Sequence, residues 1–399
     1  MNSQYEADLL QIVEALEPVL PFRSGPYALH EPTFSIRDHE LITTCLDQGW
    51  VSSAGAFVGQ FEQALVDYTG ATHVVAVVNG TAAMHLALHL VGVKPGDEVL
   101  MPALTFVATA NAVSYCGATP HFLDSEPNSF GVDARRATDY LKTVLKRTAL
   151  GVENRHTGRP VTALVAVHIF GHPGELDELS ALCLDYGITF VEDAAESLGS
   201  FYKGRHTGRI GRLAALSFNG NKIITTGGGG AIMTDDEAIA QRARHLSTTA
   251  KLPHQWAYVH DEIGFNYRMP NLNAALGCSQ MERLAEFVAD KRLLAQRYAS
   301  ALAHLRGVGH VSEPQHAQSN YWLNALLLER DDPACRDRLL ELLHERGIKA
   351  RPLWTLMHHL PMYSACPRMD LSCAENLERR IINLPSSPGL ARHGSAAPR

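Results

Sequence analysis

Short apolar runs alternate with helical stretches along the middle of the chain. The apolar runs predict buried strands at His73–Val78, Glu98–Met101, Thr119–Leu123, Thr162–Ile169, Ile188–Val191, Ala214–Phe218 and Ala231–Thr234. Helical spacing between them predicts helices at Thr81–Val91, Phe106–Tyr115, Asp133–Lys146 (with Asp133 as N-cap) and Leu176–Tyr186. Because strands that alternate with helices pair in parallel and are covered on both faces, we expect an α/β fold with a three-layer α/β/α large domain.

Both ends of the chain have a different pattern. Residues 5–20 carry apolar positions at helical spacing, and a segment with Pro and Gly, Pro21–Pro32, follows them. After Asn271 one helical pattern continues to about Leu305, and further elements are predicted at Tyr321–Leu328 (strand), Arg336–Arg346 (helix), Ile348–Arg351 (strand) and Ala374–Ile382 (helix). We therefore expect an N-terminal helix and substrate loop at 1–50, the large α/β domain at 51–285, and a smaller α+β C-terminal domain at 286–399.

Composition excludes several classes of protein. Lys and Arg total 35 against 42 Asp and Glu in 399 residues, and the formal net charge of −7 provides no overall basic surface for nucleic acid. No apolar run reaches the roughly 18 residues that a membrane helix needs, and the first residues do not resemble a signal peptide. The 7 scattered cysteines fit neither a zinc site nor a disulfide scaffold. We therefore expect a cytoplasmic protein, and the composition favours an enzyme.

A first candidate site is the turn Asn79-Gly80-Thr81-Ala82-Ala83, which follows a predicted strand and opens a predicted helix. Glycine allows a ligand to approach the backbone closely, and the N–H groups at a helix N-terminus attract an anion such as phosphate. The alternative is an ordinary strand-to-helix turn in which Thr81 caps the helix. The turn alone leaves both interpretations open.

A second candidate lies at the end of the strand Ile188–Val191, where Glu192 and Asp193 follow directly. Ligand groups in open α/β sheets stand at the carboxyl ends of strands. A buried Asp at this place needs a cationic partner, because an unpaired buried charge is costly. The alternative is a helix N-cap at Asp193.

A third candidate is Ser217-Phe-Asn219-Gly-Asn-Lys222, followed by four glycines at 227–230. A lysine held in an apolar site has a lowered pKa and becomes a candidate for Schiff-base formation or proton transfer. The alternative is a solvated surface lysine. A dinucleotide-binding fingerprint fails here because Ile232 and Met233 stand where it requires glycine.

Together, the three candidates indicate a single cofactor. A phosphate-binding turn, an aspartate at a strand end and a lysine 29 residues further along are the anchors of pyridoxal phosphate (PLP) on a parallel sheet. In that arrangement Asp193 would stabilise the protonated pyridine nitrogen, and Lys222 would form the Schiff base with the cofactor.

At these residues the sequence resembles the DegT-type sugar-nucleotide aminotransferases, which have the aspartate aminotransferase fold, PLP fold type I. The resemblance extends from Gly49-Trp50-Val51 to Asn383-Leu384-Pro385. Its motifs are Asn79-Gly80-Thr81-Ala82-Ala83, Pro102-Ala-Leu-Thr-Phe106, His168-Ile-Phe-Gly171, Glu192-Asp193-Ala-Ala, Ser217-Phe218-Asn-Gly-Asn-Lys222, Gly264-Phe-Asn266-Tyr-Arg268-Met-Pro270 and Arg351-Pro352-Leu-Trp354. The resemblance implies that residues 51–285 bind PLP.

The resemblance also implies roles for the matching residues. Lys222 would be the Schiff-base lysine and proton shuttle, Asp193 would pair with the pyridine nitrogen, and Phe106 would stack on the ring. Asn266 would reach the phosphate of the neighbouring subunit's cofactor, which makes the active unit a homodimer with shared sites. The remaining cofactor contacts would come from Gly80, Thr81, Ala82, Glu196, Ser217 and Asn219. Glu196 departs from the commonest family pattern, which has Gln here, near the phenolic oxygen of the cofactor.

Glu196 and Ser197, together with the Ser217–Lys222 motif, resemble the LegC-like subgroup of legionaminic acid and bacillosamine type pathways. That resemblance implies amino transfer from glutamate to a nucleotide-linked 4-keto-6-deoxy-N-acetylhexosamine, in the biosynthesis of surface polysaccharide or nonulosonic acid. By family position, the substrate contacts would be Trp50, Ser52, His168, Arg268, Arg351 and His358. For the two arginines the alternative is a structural salt bridge.

No metal site is expected, although the chain has 20 histidines. His168 and His172 are four residues apart, but Gly171 and Pro173 argue against the helix that would align them.

Three other functions stay open at this point. A PLP-dependent sugar dehydratase shares the fold but has His in place of the Schiff-base lysine, so Lys222 argues against it. A non-catalytic regulator on the same fold is disfavoured by the intact set of Lys222, Asp193 and Ser217. An enzyme that acts only on amino acids would use the same cofactor residues.

Overall fold

The computed structural model describes residues 3–149 and 151–391. The α-helices are α1 (Ser3–Leu16), α2 (Ile36–Asp47), α3 (Ala56–Thr69), α4 (Gly80–Leu90), α5 (Val107–Tyr115), α6 (Ala134–Val144), α7 (Leu176–Tyr186), α8 (Glu237–Ser247), α9 (Asn271–Glu282), α10 (Leu284–Leu302), α11 (Pro333–Glu345) and α12 (Ser372–Arg380). The strands are β1 (His73–Val77), β2 (Glu98–Pro102), β3 (Thr119–Leu123), β4 (Leu145–Thr148), β5 (Gly151–Asn154), β6 (Val161–Val167), β7 (Thr189–Asp193), β8 (Phe201–Tyr202), β9 (Arg205–His206), β10 (Leu213–Ser217), β11 (Gly230–Thr234), β12 (Val308–His310), β13 (Ala317–Gln318), β14 (Asn324–Leu328), β15 (Arg351–Pro352) and β16 (Ile381–Leu384).

A seven-stranded sheet in the order β1-β11-β10-β7-β6-β2-β3 forms the centre of the fold. Its strands are buried on both faces, as the continuous apolar runs predict. The expectation of parallel pairing throughout is wrong at β11, which is antiparallel to both β1 and β10. The reason is the connection: residues 218–229 contain no helix that could cross over the sheet, so the chain turns back on itself.

Most predicted elements lie within a few residues of the observed ones, and the differences have local causes. The single helix predicted after Asn271 is two helices, α9 and α10, because Arg283 between them leaves helical geometry at φ −109° and ψ 0°. The strand predicted from Tyr321 begins only at Asn324, and Tyr321 has a left-handed backbone at φ 48°. The helices α2, α3 and α8 were not predicted.

A second sheet, in the order β12-β14-β16-β15, is antiparallel and packs against α10 and α11. The N-terminal helix α1 belongs to the same core, since its apolar side chains pack with Leu294 and Tyr298 of α10 and Leu342 of α11. The predicted division at 1–50, 51–285 and 286–399 stays a prediction, and its outermost residues, 1–2 and 392–399, lie outside the described part of the chain.

In the part of the chain that the structure describes, no helix combines the length and the apolar character that crossing a bilayer requires.

Candidate active site

A cavity of about 320 Å³ opens where three strands of the central sheet end and two helices begin. The strands β6, β7 and β10 bring their carboxyl ends to it, and α4 and α5 begin beside it. Its lining consists of Asn79, Gly80, Thr81, Met84, Thr105, Phe106, Ala108, Thr109, Val167, Asp193, Ala195, Glu196, Ser217, Asn219, Asn221, Lys222, Trp322 and Trp354. Residues of all three candidate sites that the sequence predicts therefore line one cavity.

The first wall of the cavity is the N-terminus of α4. Asn79 is the N-cap, and its Oδ1 accepts a hydrogen bond from the Ala82 N–H at 2.7 Å. The alternative in which Thr81 caps the helix is therefore wrong. Gly80 lies so close to β10 that a Cβ at this position would stand 2.7 Å from the Ser217 Cβ. The close approach brings the first turn of a helix and a serine hydroxyl together, which is a suitable geometry for an anion.

Asp193 ends β7 and is buried. Its Oδ2 accepts a hydrogen bond from the Thr109 hydroxyl at 2.7 Å, and its Oδ1 accepts one from the Ala195 N–H at 3.1 Å. The N-cap alternative is wrong, because the described residues 194–200 contain no helix. Two donors hold the carboxylate in one orientation at the cavity wall, where it can pair with a cationic ring nitrogen.

The side chain of Lys222 is only 12% exposed, so the solvated-lysine alternative is wrong. Its Nζ lies 3.3 Å from Oε1 of Glu196 and 3.8 Å from the centroid of the Trp322 ring. The ring face attracts the ammonium group and excludes water from one side of it. The indole N–H of Trp322 donates to the Asn221 carbonyl at 2.7 Å, which fixes the ring.

Burial raises the pKa of Glu196 from 4.5 to about 7. The positive charge of Lys222 and the Phe170 N–H, which donates to Oε2 at 2.9 Å, oppose this effect, and the negative charge of Asp193 adds to it. The carboxyl group is therefore close to half-protonated near neutral pH. A group in that state can give or take a proton beside Lys222 at little cost.

Aromatic rings form the remaining walls. Phe106 directly precedes α5 and exposes 53% of its surface. Its ring centroid lies 6.2 Å from that of Trp354, which is 6.4 Å from Trp322 in a stacked arrangement. An exposed ring at a cavity wall presents an apolar face on which a flat heteroaromatic ring can stack.

These residues fit PLP in chemistry and in position. The first turn of α4 and the Ser217 hydroxyl suit a phosphate, Asp193 suits a protonated ring nitrogen, and Lys222 supplies a primary amine. The close contact between Gly80 and Ser217 is the specific observation, since it excludes a side chain at residue 80 and brings the first turn of α4 next to the serine. Of the predicted cofactor residues, the lining contains Gly80, Thr81, Phe106, Asp193, Glu196, Ser217, Asn219 and Lys222.

Two predicted cofactor residues lie outside this lining. The Ala82 N–H donates to Asn79 and is part of the helix cap. Asn266 pairs with Thr248 in an isolated antiparallel bridge. A contact between Asn266 and the cofactor of a neighbouring subunit stays a prediction.

Four of the predicted substrate contacts also lie outside this lining, and each of them makes contacts with other parts of the chain. His168 is fully buried, with its Nε2 3.0 Å from Oε2 of Glu192. The guanidinium group of Arg268 lies 2.5 Å from Oε1 of Glu62 and 3.0 Å from the Ala76 carbonyl oxygen. The carbonyl groups of Trp50 and Ser52 accept hydrogen bonds from the side chain and the N–H of a helix-start residue, Asn271. In the single chain these contacts have a structural role, and contact of the four residues with substrate stays a prediction.

Arg351 lines a cavity that adjoins the active-site cavity. His358 packs against His359 and lies 3.2 Å from Glu375. The ligand atoms of His358, His359 and Glu375 lie within 4.8 Å of one another, and a second such group consists of His245, Asp261 and Glu262. Sequence spacing did not indicate either group, since the members come from separate segments.

Sequence reasoning assigned no role to several residues of the site, among them Thr105, Thr109 and Trp322. Thr109 lies one helical turn after Phe106, so helical spacing could have placed it at the same wall. Thr105 lies 3.2 Å from Thr109, between the hydroxyl oxygens. Trp322 follows a left-handed turn residue, Tyr321, and no motif in the sequence indicated its position over Lys222.

Comparisons with known proteins agree with this geometry. The profile of the DegT/DnrJ/EryC1/StrS aminotransferase family matches residues 34–395. EpsN of Bacillus subtilis (strain 168), provisionally named as a pyridoxal phosphate-dependent aminotransferase, is 40% identical over 366 residues, 91% of each protein. The GDP-perosamine synthase of Caulobacter vibrioides is 36% identical over 362 residues, 90% of this chain and 92% of the relative.

The same fold is present in a solved structure of DesI in the presence of its TDP-sugar product. The two chains superpose with a TM-score of 0.80 at 27% identity, over 94% of this chain and 91% of DesI. The expected fold type I is therefore confirmed. Because the family profile covers most of the chain, this protein belongs to the DegT/DnrJ/EryC1/StrS aminotransferase family and is a PLP-dependent aminotransferase.

Proposed function

We propose that the enzyme transfers an amino group from glutamate to C4 of a nucleotide-linked 4-keto-6-deoxy-N-acetylhexosamine. The observation that carries the aminotransferase chemistry is Lys222, buried beside Glu196 at a cavity wall that also holds Asp193. The names of the relatives support a sugar nucleotide as substrate, since they include a GDP-perosamine synthase and DesI with a TDP-sugar product. The N-acetyl group and the legionaminic acid or bacillosamine type of pathway rest on the LegC-like motifs alone.

When bound, PLP supplies a carbonyl group for amine exchange and a ring that withdraws electrons from the reacting carbon. The first turn of α4 and the Ser217 hydroxyl would hold the phosphate. Asp193, oriented by Thr109, would keep the pyridine nitrogen protonated. Phe106 would cover one face of the ring and exclude water from it.

Lys222 would move the proton that each half of the reaction transfers. Its Nζ must be neutral to accept a proton, and the Glu196 carboxyl group 3.3 Å away can take up the excess proton near neutral pH. The same amine becomes free again in each half of the reaction, which predicts ping-pong kinetics.

We also propose a homodimer that shares its active sites. Support comes from the segment that precedes Asn266, where Trp256, Tyr258 and Ile263 are 75%, 80% and 88% exposed. Contiguous exposed apolar side chains are typical of an interaction surface. Their place next to Asn266 agrees with the expected contact to the partner's cofactor.

A direct test uses the purified enzyme with glutamate and a panel of acceptors. The panel contains 4-keto-6-deoxyhexoses on UDP, GDP and dTDP, with either an acetamido or a hydroxyl group at C2, and simple keto acids. We expect amination at C4 of an acetamido sugar and no turnover in the Lys222→Ala variant. Turnover of keto acids alone would contradict the proposal and would favour an enzyme that acts only on amino acids.

A second candidate substrate is a GDP-linked 4-keto sugar with a hydroxyl group at C2. The 36% identity to the GDP-perosamine synthase of Caulobacter vibrioides favours it. The same panel distinguishes the two candidates by carrier and by C2 substituent.

A further inference from the structure

The turn before β14 reaches the active site through a buried asparagine, Asn320. Its side chain is fully buried, and the residue lies outside the lining of the cavity. The amide group donates two hydrogen bonds of 2.9 Å, to the carbonyl oxygens of Glu196 and Leu198, and its Oδ1 accepts one from the Trp322 N–H at 2.8 Å. One amide group therefore joins the backbones of Glu196 and Trp322, and the side chains of both contact the Nζ of Lys222.

Regular secondary structure does not hold these two contact residues. The described residues 194–200 contain no helix or strand, and β14 begins only at Asn324. A buried carbonyl group outside a helix or strand needs a side chain or a water molecule as its partner. Without the amide of Asn320, water would take its place at the carbonyl groups of Glu196 and Leu198, and it would reach the Glu196 side chain.

A glycine gives this amide group the room that it needs. Gly171 has a left-handed backbone at φ 95°, and a Cβ at this position would collide with the Asn320 Oδ1. The Ser200 hydroxyl accepts a hydrogen bond from the Asn320 N–H at 2.9 Å and donates one to the Gly171 carbonyl at 2.7 Å. The preceding residue, Phe170, donates its N–H to Oε2 of Glu196 at 2.9 Å. The segment 169–171 therefore contacts both Asn320 and the carboxyl group of Glu196.

We propose that Asn320 is a positioning residue for the amine of Lys222, because it fixes Glu196 and Trp322 against the Nζ atom. This role rests on the part of the proposed function that assigns the proton transfer to Lys222. The Nζ lies 3.3 Å from Oε1 of Glu196 and 3.8 Å from the centroid of the Trp322 ring. Both distances depend on backbones that Asn320 joins, so Asn320 acts through its two partners.

The alternative is a purely structural role, since a buried and fully paired asparagine stabilises any fold. The two roles differ in their effect on Glu196. Burial is the main cause that raises the pKa of Glu196 to about 7, and Lys222 and Asp193 are the charged groups that act on it. If the loss of Asn320 lets water reach the carboxyl group, the pKa of Glu196 falls toward 4.5. If Asn320 only stabilises the fold, this pKa stays near 7.

Urea unfolding of the cofactor-free protein distinguishes the two roles. Because the fold binds the Glu196 proton more tightly than the unfolded chain does, the contribution of Glu196 to stability is lost as the pH rises through about 7. The part of the pH dependence between about 5 and 8 that Glu196→Gln abolishes measures this contribution. We expect Asn320→Ala to lose at least half of that part.

The matched control is Asn271→Ala. Asn271 is also buried, its amide donates to the Trp50 carbonyl at 2.6 Å, and its Oδ1 accepts from the Phe57 N–H at 2.8 Å. A glycine makes room for this side chain too, since a Cβ on Gly55 would collide with it. Asn271→Ala should lower stability by a similar amount at every pH.

The reaction of the loaded enzyme with glutamate alone, followed by the absorbance of the cofactor, gives a second readout. Asn320→Ala should lower the maximal rate about tenfold or more, and it should change KM for glutamate and the Kd for PLP less than about threefold. Ser200→Ala removes the hydroxyl that holds the Asn320 N–H and is the milder variant, to be used if Asn320→Ala does not fold. It should shift both readouts in the same direction by a smaller amount.

Three outcomes would overturn the positioning role. They are a wild-type pH dependence in the folded Asn320→Ala or Ser200→Ala variant, an equal loss of pH dependence in Asn271→Ala, and parallel profiles of the wild type and Glu196→Gln. Each leaves the proposed aminotransfer intact. Turnover in Lys222→Ala would instead contradict the proposed function, because the amine that Asn320 is proposed to position would then be dispensable.

Discussion

The ammonium nitrogen of Lys222 lies 3.3 Å from Oε1 of Glu196, and both side chains are withdrawn from solvent beside the cofactor cavity. Such a pair is not an ordinary salt bridge. Burial raises the pKa of the Glu196 carboxyl group to about 7. At neutral pH this group is therefore protonated in about half of the molecules. The amine that the reaction requires therefore has, within contact distance, a carboxyl group that titrates near neutral pH.

The first prediction concerns the stability of the cofactor-free protein as a function of pH. The pKa of Glu196 is 4.5 when exposed and about 7 in the fold. The folded protein therefore binds this proton more tightly, and the resulting stabilisation is fully present below about pH 4.5 and is lost as the pH rises through 7. Glu196→Gln should remove a pH-dependent contribution on the order of 3 kcal/mol to the free energy of unfolding.

Urea unfolding of both proteins at several pH values between about 5 and 8 measures this contribution. The exposed Glu178→Gln variant on α7 serves as control and should follow the wild type. Parallel pH profiles for wild type and Glu196→Gln would show that Glu196 keeps its ordinary pKa, and they would remove it as a proton acceptor for Lys222.

The second prediction concerns the support of Asp193 by Thr109. The Thr109 hydroxyl donates to the buried carboxylate at 2.7 Å, so Thr109→Val deletes a donor without changing the volume much. Hydrogen bonds to charged groups contribute about 1.5–3 kcal/mol, and we expect the dissociation constant for PLP to rise roughly tenfold or more. Spectroscopic titration of the cofactor-free protein measures it. Thr109→Ser should restore binding, whereas equal weakening in Thr109→Ser and Thr109→Val would indicate a packing effect.

The third prediction concerns the close contact between α4 and β10. A Cβ on Gly80 would stand 2.7 Å from the Ser217 Cβ, so Gly80→Ala must move the start of α4 away from the serine. We expect the affinity for PLP to fall at least about tenfold, because the phosphate donors lose their geometry. The matched control is Gly59→Ala in α3, where nothing lies within 4 Å of the added Cβ. That variant should bind PLP normally. A similar loss of PLP affinity in both variants would contradict the role of the Gly80–Ser217 contact in phosphate binding.

The sequence predicted much of this site because each of the three motifs has a defined place relative to a strand or a helix. A glycine before a helix, a carboxylate at a strand end and a lysine after a strand all stand at the carboxyl edge of a parallel sheet, so their convergence follows from the fold class. Glu196 could be placed in the same way, from its distance to Asp193. Its raised pKa could not, since that depends on burial by elements remote in sequence.

The remaining features depend on packing between distant segments. Trp322 reaches Lys222 because the turn before β14 is held next to the active site, where the side-chain amide of Asn320 donates to the carbonyl oxygens of Glu196 and Leu198. The antiparallel direction of β11 depends on a loop that contains no helix, and periodicity within a strand carries no information about direction. Local patterns therefore predicted which residues stand at strand ends and turns of the site. They did not predict which side chains from distant segments surround those residues.

The fourth prediction concerns whether Arg268 stabilises the fold or binds the substrate. Its guanidinium lies 2.5 Å from Oε1 of Glu62, whose other oxygen pairs with Arg244, and both Arg268 and Glu62 are largely buried. Arg268→Ala leaves a buried carboxylate with one cation fewer, and we expect a loss of about 3 kcal/mol in the free energy of unfolding. Arg242→Ala breaks an exposed pair with Glu262 and should cost less than about 1 kcal/mol.

The same variants also report on substrate binding at Arg268. If Arg268 contacted the pyrophosphate of the sugar nucleotide, as family position implies, Arg268→Ala would raise KM for the sugar nucleotide without affecting the reaction with glutamate. The ion pair with Glu62 predicts the reverse: a lower midpoint in urea, with both kinetic constants of the surviving folded enzyme within about twofold of wild type, because the cavity lining does not include this side chain. Steady-state kinetics well below the unfolding midpoint, together with urea curves, decide between the two roles. A selective rise in KM would place Arg268 in the substrate site.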